Sequence, residues 1–343
     1  MGMINFYNLP SSDKADIFQA ISTRNGMPAF AVEKDWWVTK TLSIIFEMEA
    51  SKHLVFKGGT SLSKAWKLIQ RFSEDIDLAI DRSFLGFDGE LSKSKRTALR
   101  KAAGEYTTGV FFEELNTRVE AEKFQDVHLN VIPAEDSDQD PRIIEVHYPP
   151  IIEHPGYVQP RVQIEIGCRS LLEPFTIKEF GSLVDEEFAE DSFAMPFIKI
   201  PTVDAERTIL EKIFLLHEEF HRPVEKIRVD RLSRHLYDIF HLSNTDVLDQ
   251  AINNKVLYET IVEHRHKFSK VGGVNYNSHN PLIIDPIPHS NVIAAWRDDY
   301  KKMISEMIYE EEPPSFEDLI VNLEKVKEKV KTVDWVFSLT FEK

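Results

Sequence analysis

Two hydrophobic periods run along the chain, and their mixture changes near residue 200. Residues 11–25 carry apolar positions at helical spacing, opened by Ser11 or Ser12 with Asp13 in the first turn and closed by Gly26. Residues 30–49 predict a second helix, with Trp36, Trp37, Leu42, Ile45 and Phe46 at helical spacing. His53 to Phe56 reads as a short apolar strand, Gly58 and Gly59 interrupt it, and helical spacing resumes from Ser61 to Arg71. Ser73 to Ile80 alternates polar and apolar, as a strand does. Residues 90–123 predict a charged helix. Residues 125–152 predict strands joined by the polar turn Glu135 to Pro141, and Arg161 to Gly167 alternates again. After Pro196 and Pro201 the helical period dominates, over 203–220, 228–242, 246–265, 291–308 and 315–331. Val271 to Ser290, rich in Gly, Asn, Pro and His, reads as a long loop. The pattern predicts an α+β chain: a mixed α/β unit over 1–200, then a mainly helical unit over 201–343.

Composition adds limits. With 343 residues, 42% of them hydrophobic, the chain can bury a sizeable core. Its one cysteine, Cys168, excludes an internal disulfide, fits a reducing cytoplasm, and is expected to be buried as a small hydrophobe. No run approaches the ~18 apolar residues of a membrane span, and Met1 to Pro10 lacks a basic stretch followed by an apolar one. A cytoplasmic chain without membrane association is expected. The net charge of −16 opposes non-specific binding to nucleic acid. A local basic groove remains open to two clusters: Lys93, Lys95, Arg96, Arg100 and Lys101, and then Arg222, Lys226, Arg228, Arg231 and Arg234.

The candidate chemistry sits in Phe56-Lys57-Gly58-Gly59-Thr60-Ser61-Leu62-Ser63-Lys64 and in Arg71-Phe72-Ser73-Glu74-Asp75-Ile76-Asp77-Leu78. A strand running through two glycines into a helix presents free backbone N–H groups to an anion. Glycine lets that backbone approach a phosphate, and Thr60, Ser61 and Ser63 add hydroxyls. On the next strand Asp75 and Asp77 are two apart and share a face, while Ile76, Leu78 and Ile80 share the other. Two neighbouring carboxylates repel unless a cation lies between them. Mg²⁺ takes one or two carboxylates together with substrate phosphates. A phosphate cradle beside such a pair is what metal-assisted phosphoryl transfer requires.

These residues resemble the signature of the AbiEii/AbiGii-type nucleotidyltransferase toxins, within the DNA polymerase β-like nucleotidyltransferase superfamily. Glu33-Lys34-Asp35-Trp36-Trp37 resembles the family's N-terminal helix, Thr208-Ile209-Leu210-Glu211-Lys212 its third motif, and Arg234-His235-Leu236-Tyr237-Asp238-Ile239 its fourth. Trp296, Asp299, Tyr300 and Met303 resemble a C-terminal helix of these proteins. The resemblance implies a nucleotidyltransferase-fold mixed sheet with flanking helices, followed by a mainly helical domain. It implies that Gly58, Gly59, Thr60, Ser61, Lys64, Arg71, Ser73 and Lys212 bind the nucleotide, and that Asp75 and Asp77 hold Mg²⁺, or Mn²⁺ in its place. The superfamily's third carboxylate falls on Glu165, with Glu145 as the alternative. Asp238 shares a helical face with Arg231, Arg234 and His241. Its role stays open between pairing with Lys212, orienting the acceptor hydroxyl, acting as general base, and a helix ion pair with Arg234. Arg71 either neutralises phosphate or pairs with an aspartate.

The implied reaction transfers NMP from an NTP to an acceptor and releases pyrophosphate. Asp75, Asp77, Lys212 and Asp238 are its expected catalytic group. By resemblance the acceptor is RNA, in particular a tRNA 3′ end, and the chain is the toxin of a toxin–antitoxin or phage-defence pair whose usual partner is a winged-helix antitoxin. Three other readings compete: nucleotidylation of a protein side chain, modification of a small molecule, and a non-catalytic binding module on a degenerate fold. The intact Asp75/Asp77 pair opposes the last.

Overall fold

The computed structural model describes residues 5–73, 75–154 and 158–342. The chain divides into two units, Met1–Trp66 with Phe72–Val203, and Lys67–Arg71 with Asp204–Lys343.

The first unit is built on a seven-stranded mixed sheet: β1 (Leu54–Lys57), β2 (Asp75–Ile80), β3 (His128–Val131), β4 (Arg142–His147), β5 (Arg161–Gly167), β6 (Phe175–Phe180) and β7 (Ile198–Val203), in the order β3-β4-β5-β2-β1-β7-β6. Antiparallel β1 and β2 lie near its centre, with β5 parallel to β2 and β7 parallel to β1. Helices α1 (Ser11–Asn25) and α2 (Ala29–Phe46) pack on each other. Gly26 closes α1 in the left-handed conformation at φ 74°. Unlike a surface helix, α2 is buried on almost every side, and Trp36 and Trp37 belong to the core. Residues 93–121 form α4 (Lys93–Tyr106), a π-helical stretch and α5 (Phe112–Ala121).

After β1 comes a short helix, α3 (Gly58–Thr60), which continues as a π-helical turn over Ser61–Ala65. The helix expected to reach Arg71 therefore stops early. Lys67 adopts a left-handed φ of 54°, and residues 67–71 join the second unit, where Arg71 bridges Ile308 and Gln70 O accepts from Tyr309 N at 3.3 Å. The strand expected from Ser73 begins at Asp75. The capped helix α6 (Leu183–Glu187) and strands β6 and β7 occupy a stretch where the sequence marked no element. The prolines read there as a boundary hid β7. Pro201 lies inside it, opposite Ile177 of the edge strand β6, while the β1 register is confined to Phe56↔Thr202. A residue without an N–H is tolerated where one flank makes few ladder bonds.

The second unit is helical: α7 (Ala205–Phe220), α8 (Arg234–Ser243), α9 (Val247–Asn253), α10 (Lys255–Phe268), α11 (Ile293–Glu306) and α12 (Phe316–Val330). The apolar stripe of α7 packs against α8, α9 and α10. The single helix expected over 246–265 is broken at Asn254, whose side chain caps α10 by accepting from Leu257 N at 3.0 Å. The helix expected from residue 228 starts at Arg234. Before it, the buried Asp299 of α11 accepts from Arg231 N at 2.8 Å and Ser233 N at 2.9 Å. These bonds hold residues 231–233 in a turn that the sequence pattern could not reveal.

Candidate active site

The marked residues fall in both units. In the first, the β2–β5 register sets Asp75 beside Gln163 and Asp77 beside Glu165. In-register neighbours of a sheet share a face, so all four side chains lie on one side, opposite Ile76 and Leu78, which are fully buried. Glu165 Oε1 accepts from Gln163 Nε2 at 2.9 Å. The antiparallel β1–β2 register brings Lys57 beside Asp77, with Nζ 3.7 Å from Oδ1. Glu145, the other acidic candidate, is buried and held by Arg161 at 2.6 Å and His147 at 2.9 Å.

Gly58 has a φ of +82°, and a Cβ there would lie 2.0 Å from Asp77 Oδ2. Only glycine fits both the backbone and the carboxylate beside it. The hydroxyls that follow are committed within the turn. Ser61, fully buried, donates to Gly58 O at 2.9 Å. Thr60 Oγ1 donates to Asp75 O at 2.5 Å and bonds Ser73 Oγ at 2.9 Å. These bonds tie the glycine turn to the start of the aspartate strand.

Lys64, expected to meet the nucleotide, has a partner inside the protein. Its ammonium is salt-bridged to Asp35 Oδ1, both side chains being about nine-tenths buried, and Asp35 Oδ2 accepts from Leu183 N at 2.7 Å. The Glu-Lys-Asp run of α2 is a hub of this kind. Glu33 accepts from Ile151 N and Ile152 N at 2.8 and 3.0 Å, and Lys34 donates to Gln159 O at 3.0 Å.

In the second unit, Asp238 on α8 is fully buried between two cations. Arg71 donates to it through Nε at 2.6 Å and Nη2 at 2.9 Å, and Lys212 Nζ of α7 stands 2.8 Å from Oδ2. Burial alone would raise the carboxyl's pKa, but the two cations hold it far below the usual carboxylate range. Such a group is a poor proton acceptor. Asp238 is thus an ion-pair partner of Arg71 and Lys212, and Arg71 takes the aspartate-pairing alternative. Burial lowers the Lys212 pKa against the pull of Asp238. His235 Nδ1 lies 3.4 Å from Lys212 Nζ, and burial, Lys212 and Arg234 keep this imidazole neutral.

Lys57, Gln163 and His235 stand beside the expected residues, with no role marked for them in the sequence. Lys57 carried one signal, a lysine closing an apolar strand just before the glycines. His217 of α7 and His221, the residue that caps this helix, are four apart with rings 4.1 Å apart. His217 is bonded to Asp285 O and Ser278 Oγ, and His221 Nδ1 to His217 O. Among the described residues no group of three His, Cys, Asp or Glu stands ready to hold a metal ion. The carboxylates of Asp75, Asp77 and Glu165 share one face of the sheet. In the second basic cluster Arg222 and Arg228 are bound to the buried Glu219. In the first, Arg100 is bound to Asp138 and Lys93, Lys95 and Lys101 are exposed. No described helix is long and apolar enough to cross a membrane.

Solved structures similar to the chain include MenT4, a nucleotidyltransferase toxin from Mycobacterium tuberculosis H37Rv, at 16% identity and a TM-score of 0.44, covering 95% of this chain and 100% of that one. JHP933 from Helicobacter pylori is 13% identical with a TM-score of 0.40, covering 85% and 89%. No curated protein sequence matches the chain. A family model described as "Nucleotidyl transferase AbiEii toxin, Type IV TA system" matches residues 42–322, most of the chain. The chain therefore belongs to the AbiEii family: it is a nucleotidyltransferase toxin of a type IV toxin–antitoxin system, with the antitoxin partner such a system implies.

Proposed function

We propose that the chain transfers NMP from an NTP to the 3′ end of a tRNA, in a reaction that depends on Mg²⁺ or Mn²⁺. The observation that carries this reading is the common face of Asp75, Asp77 and Glu165, with the Asp77 carboxylate against Gly58. Asp75 and Asp77 would hold the cation, with Glu165 as third carboxylate. When bound, such a cation neutralises phosphate charge and polarises the phosphoryl group. The backbone of the Gly58–Gly59 turn would receive phosphate oxygens. Lys57 would balance Asp77. Lys212, held by Asp238, is the candidate phosphate cation of the second unit, with Asp238 and Arg71 as its positioning residues.

The acceptor hydroxyl oxygen bonds the α-phosphorus, its proton passes to solvent water, and the bond from that phosphorus to the bridging oxygen of the β-phosphate breaks, releasing pyrophosphate. A protein hydroxyl is the second reading, favoured by the net charge of −16. The test incubates the protein with total tRNA, Mg²⁺ and each radiolabelled NTP in turn, beside Asp75→Ala/Asp77→Ala and Lys212→Ala. Label on tRNA from one NTP, lost in the variants and with chelator, is the expected result. Label on a protein band alone transfers the reading to a protein acceptor. No label on tRNA, protein or lysate overturns both.

A further inference from the structure

The face that carries the carboxylates continues past Glu165, across β4 to the edge strand β3. Asp75, Gln163, Glu145 and Asn130 are in-register neighbours from β2 to β3. The adjoining row, two residues along, is Arg161, His147 and His128. In-register neighbours share a face, so this row lies on the side of the aspartates, opposite the buried Ile76, Ile144 and Ile164. The row ends in a stack. The imidazoles of His147 and His128 are 4.9 Å apart at an interplanar angle of 7°. That separation matches the strand spacing of about 4.8 Å, so the rings follow one another as the strands do.

The stack is anchored at one end and open at the other. The buried Glu145 holds His147 Nε2 at 2.9 Å through Oε2 and Arg161 Nη1 at 2.6 Å through Oε1, fixing the imidazole and the guanidinium side by side. His128 is exposed on the edge strand, and among the described residues its ring has only His147 against it. The direction of the proposed reaction selects what could lie here. The glycine turn approaches Asp77 from the β1 side. In-line displacement puts the attacking oxygen and the leaving pyrophosphate on opposite sides of the phosphorus. With the phosphates at the glycine turn, the acceptor crosses the face on the side of β5, β4 and β3. Two strand steps and two residues separate Asp75 from His147, roughly 12 Å across the sheet. That is too far for the reacting nucleotide and suits the nucleotides that precede it.

We propose that Arg161, His147 and His128 form a stacking platform for unpaired bases of the acceptor RNA, just before its reacting 3′ nucleotide. Unpaired bases stack on imidazole rings and on guanidinium planes, and every base offers such a face. Stacking needs no net positive charge. The row supplies little, since Arg161 is paired with Glu145 and the chain carries −16. An acceptor with a single-stranded end is therefore preferred over a blunt duplex, whose bases are already paired and stacked. The inference rests on the proposed reaction for its direction and on the ring stack for its ligand.

The test reads transfer and binding separately, in the full chain. His128 is varied because it is exposed, so that its substitution spares the core. His128→Ala is expected to lower kcat/KM for tRNA at least about fivefold, the lower bound for losing one base–aromatic stack, while the KM for NTP stays unchanged. His128→Phe keeps a ring face and is expected to keep the native value, a rescue that a merely structural role would not give. If the native chain labels tRNA and His128→Ala labels it equally well, the platform is overturned and the reaction stands. If the native chain labels no RNA, binding decides, by anisotropy of a short fluorescein-labelled single-stranded oligoribonucleotide in Mg²⁺ without NTP. Binding that His128→Ala weakens and His128→Phe restores supports the platform apart from the reaction. No binding, equal binding by the native and His128→Ala chains, or equal affinity for the same sequence annealed as a blunt duplex overturns it. Labelling of a protein acceptor that His128→Ala reduces would assign the row to a protein and overturn it as well.

Discussion

The carboxylate of Asp77 fills the space that a side chain on Gly58 would need: a Cβ there would stand 2.0 Å from Oδ2 and 2.7 Å from Cγ. Gly58→Ala therefore adds two effects, a left-handed backbone costing about 1–2 kcal/mol and a displaced carboxylate. Gly86 separates them, since it has a φ of +83° and nothing within 4 Å of its Cβ. Gly86→Ala is expected to share the stability loss in urea unfolding and keep its transferase rate. Gly58→Ala should lose about 10²–10³-fold in kcat, on the scale of removing one preorganised electrostatic group. Equal rates for the two variants would detach Gly58 from the reaction.

Asp75→Ala and Asp77→Ala should each lower kcat by at least about 10²-fold without a comparable fall in stability, because both side chains are only half-buried. Glu165→Gln is expected to raise the Mg²⁺ concentration needed for half-maximal activity, read in a metal titration. An unchanged midpoint would remove Glu165 from the metal.

Asp238 is expected to matter through charge balance. Asp238→Asn leaves Arg71 and Lys212 without their buried anion and should cost about 3–5 kcal/mol, measured by denaturant unfolding at pH 7. Its folded pKa is depressed, so this stability is present above the unfolded value of about 3.9 and is lost only as pH falls well below it. Asp238 should accordingly contribute no limb to the pH–rate profile between pH 5 and 9. A limb in that range abolished by Asp238→Asn would restore the general-base role.

Lys64 and Lys212 should separate cleanly. Lys64→Met strands the buried carboxylate of Asp35 and should cost about 3–5 kcal/mol, while the KM for NTP stays within about threefold, a difference of under 1 kcal/mol. Lys212→Ala is expected to raise that KM or lower kcat by more than about tenfold. A Lys64 variant that folds normally but binds NTP poorly would return Lys64 to the nucleotide.

Glu218 gives a pH test within the helical unit. Burial would raise its pKa, but Arg265, with His279 assisting, brings it down to about 2. The pair contributes roughly 3 kcal/mol that is present above about pH 4.5 and lost as pH falls toward 2. Glu218→Gln should flatten the acid limb of stability against pH in that window. A limb identical to the native one would place the acid sensitivity elsewhere.

The sequence by itself determined the local features. The glycine turn, the two-residue spacing of Asp75 and Asp77, the bounds of α1 and β5 and the helical character after residue 204 follow from periodicity, turn residues and backbone chirality, which act within a few residues. Tertiary structure decided whatever depends on distant partners. Whether Glu165 lies beside Asp77 is a matter of sheet register, which no local pattern encodes. Pro201 reads as a boundary and is a strand residue because the strands beside it accept it there. Lys64, read as a nucleotide ligand, is ion-paired to Asp35, and Asp238, whose role the sequence left open, is ion-paired to Arg71 and Lys212. A buried charge takes the partner that the fold delivers to it, and that delivery spans 29 residues for Lys64 and 167 for Arg71.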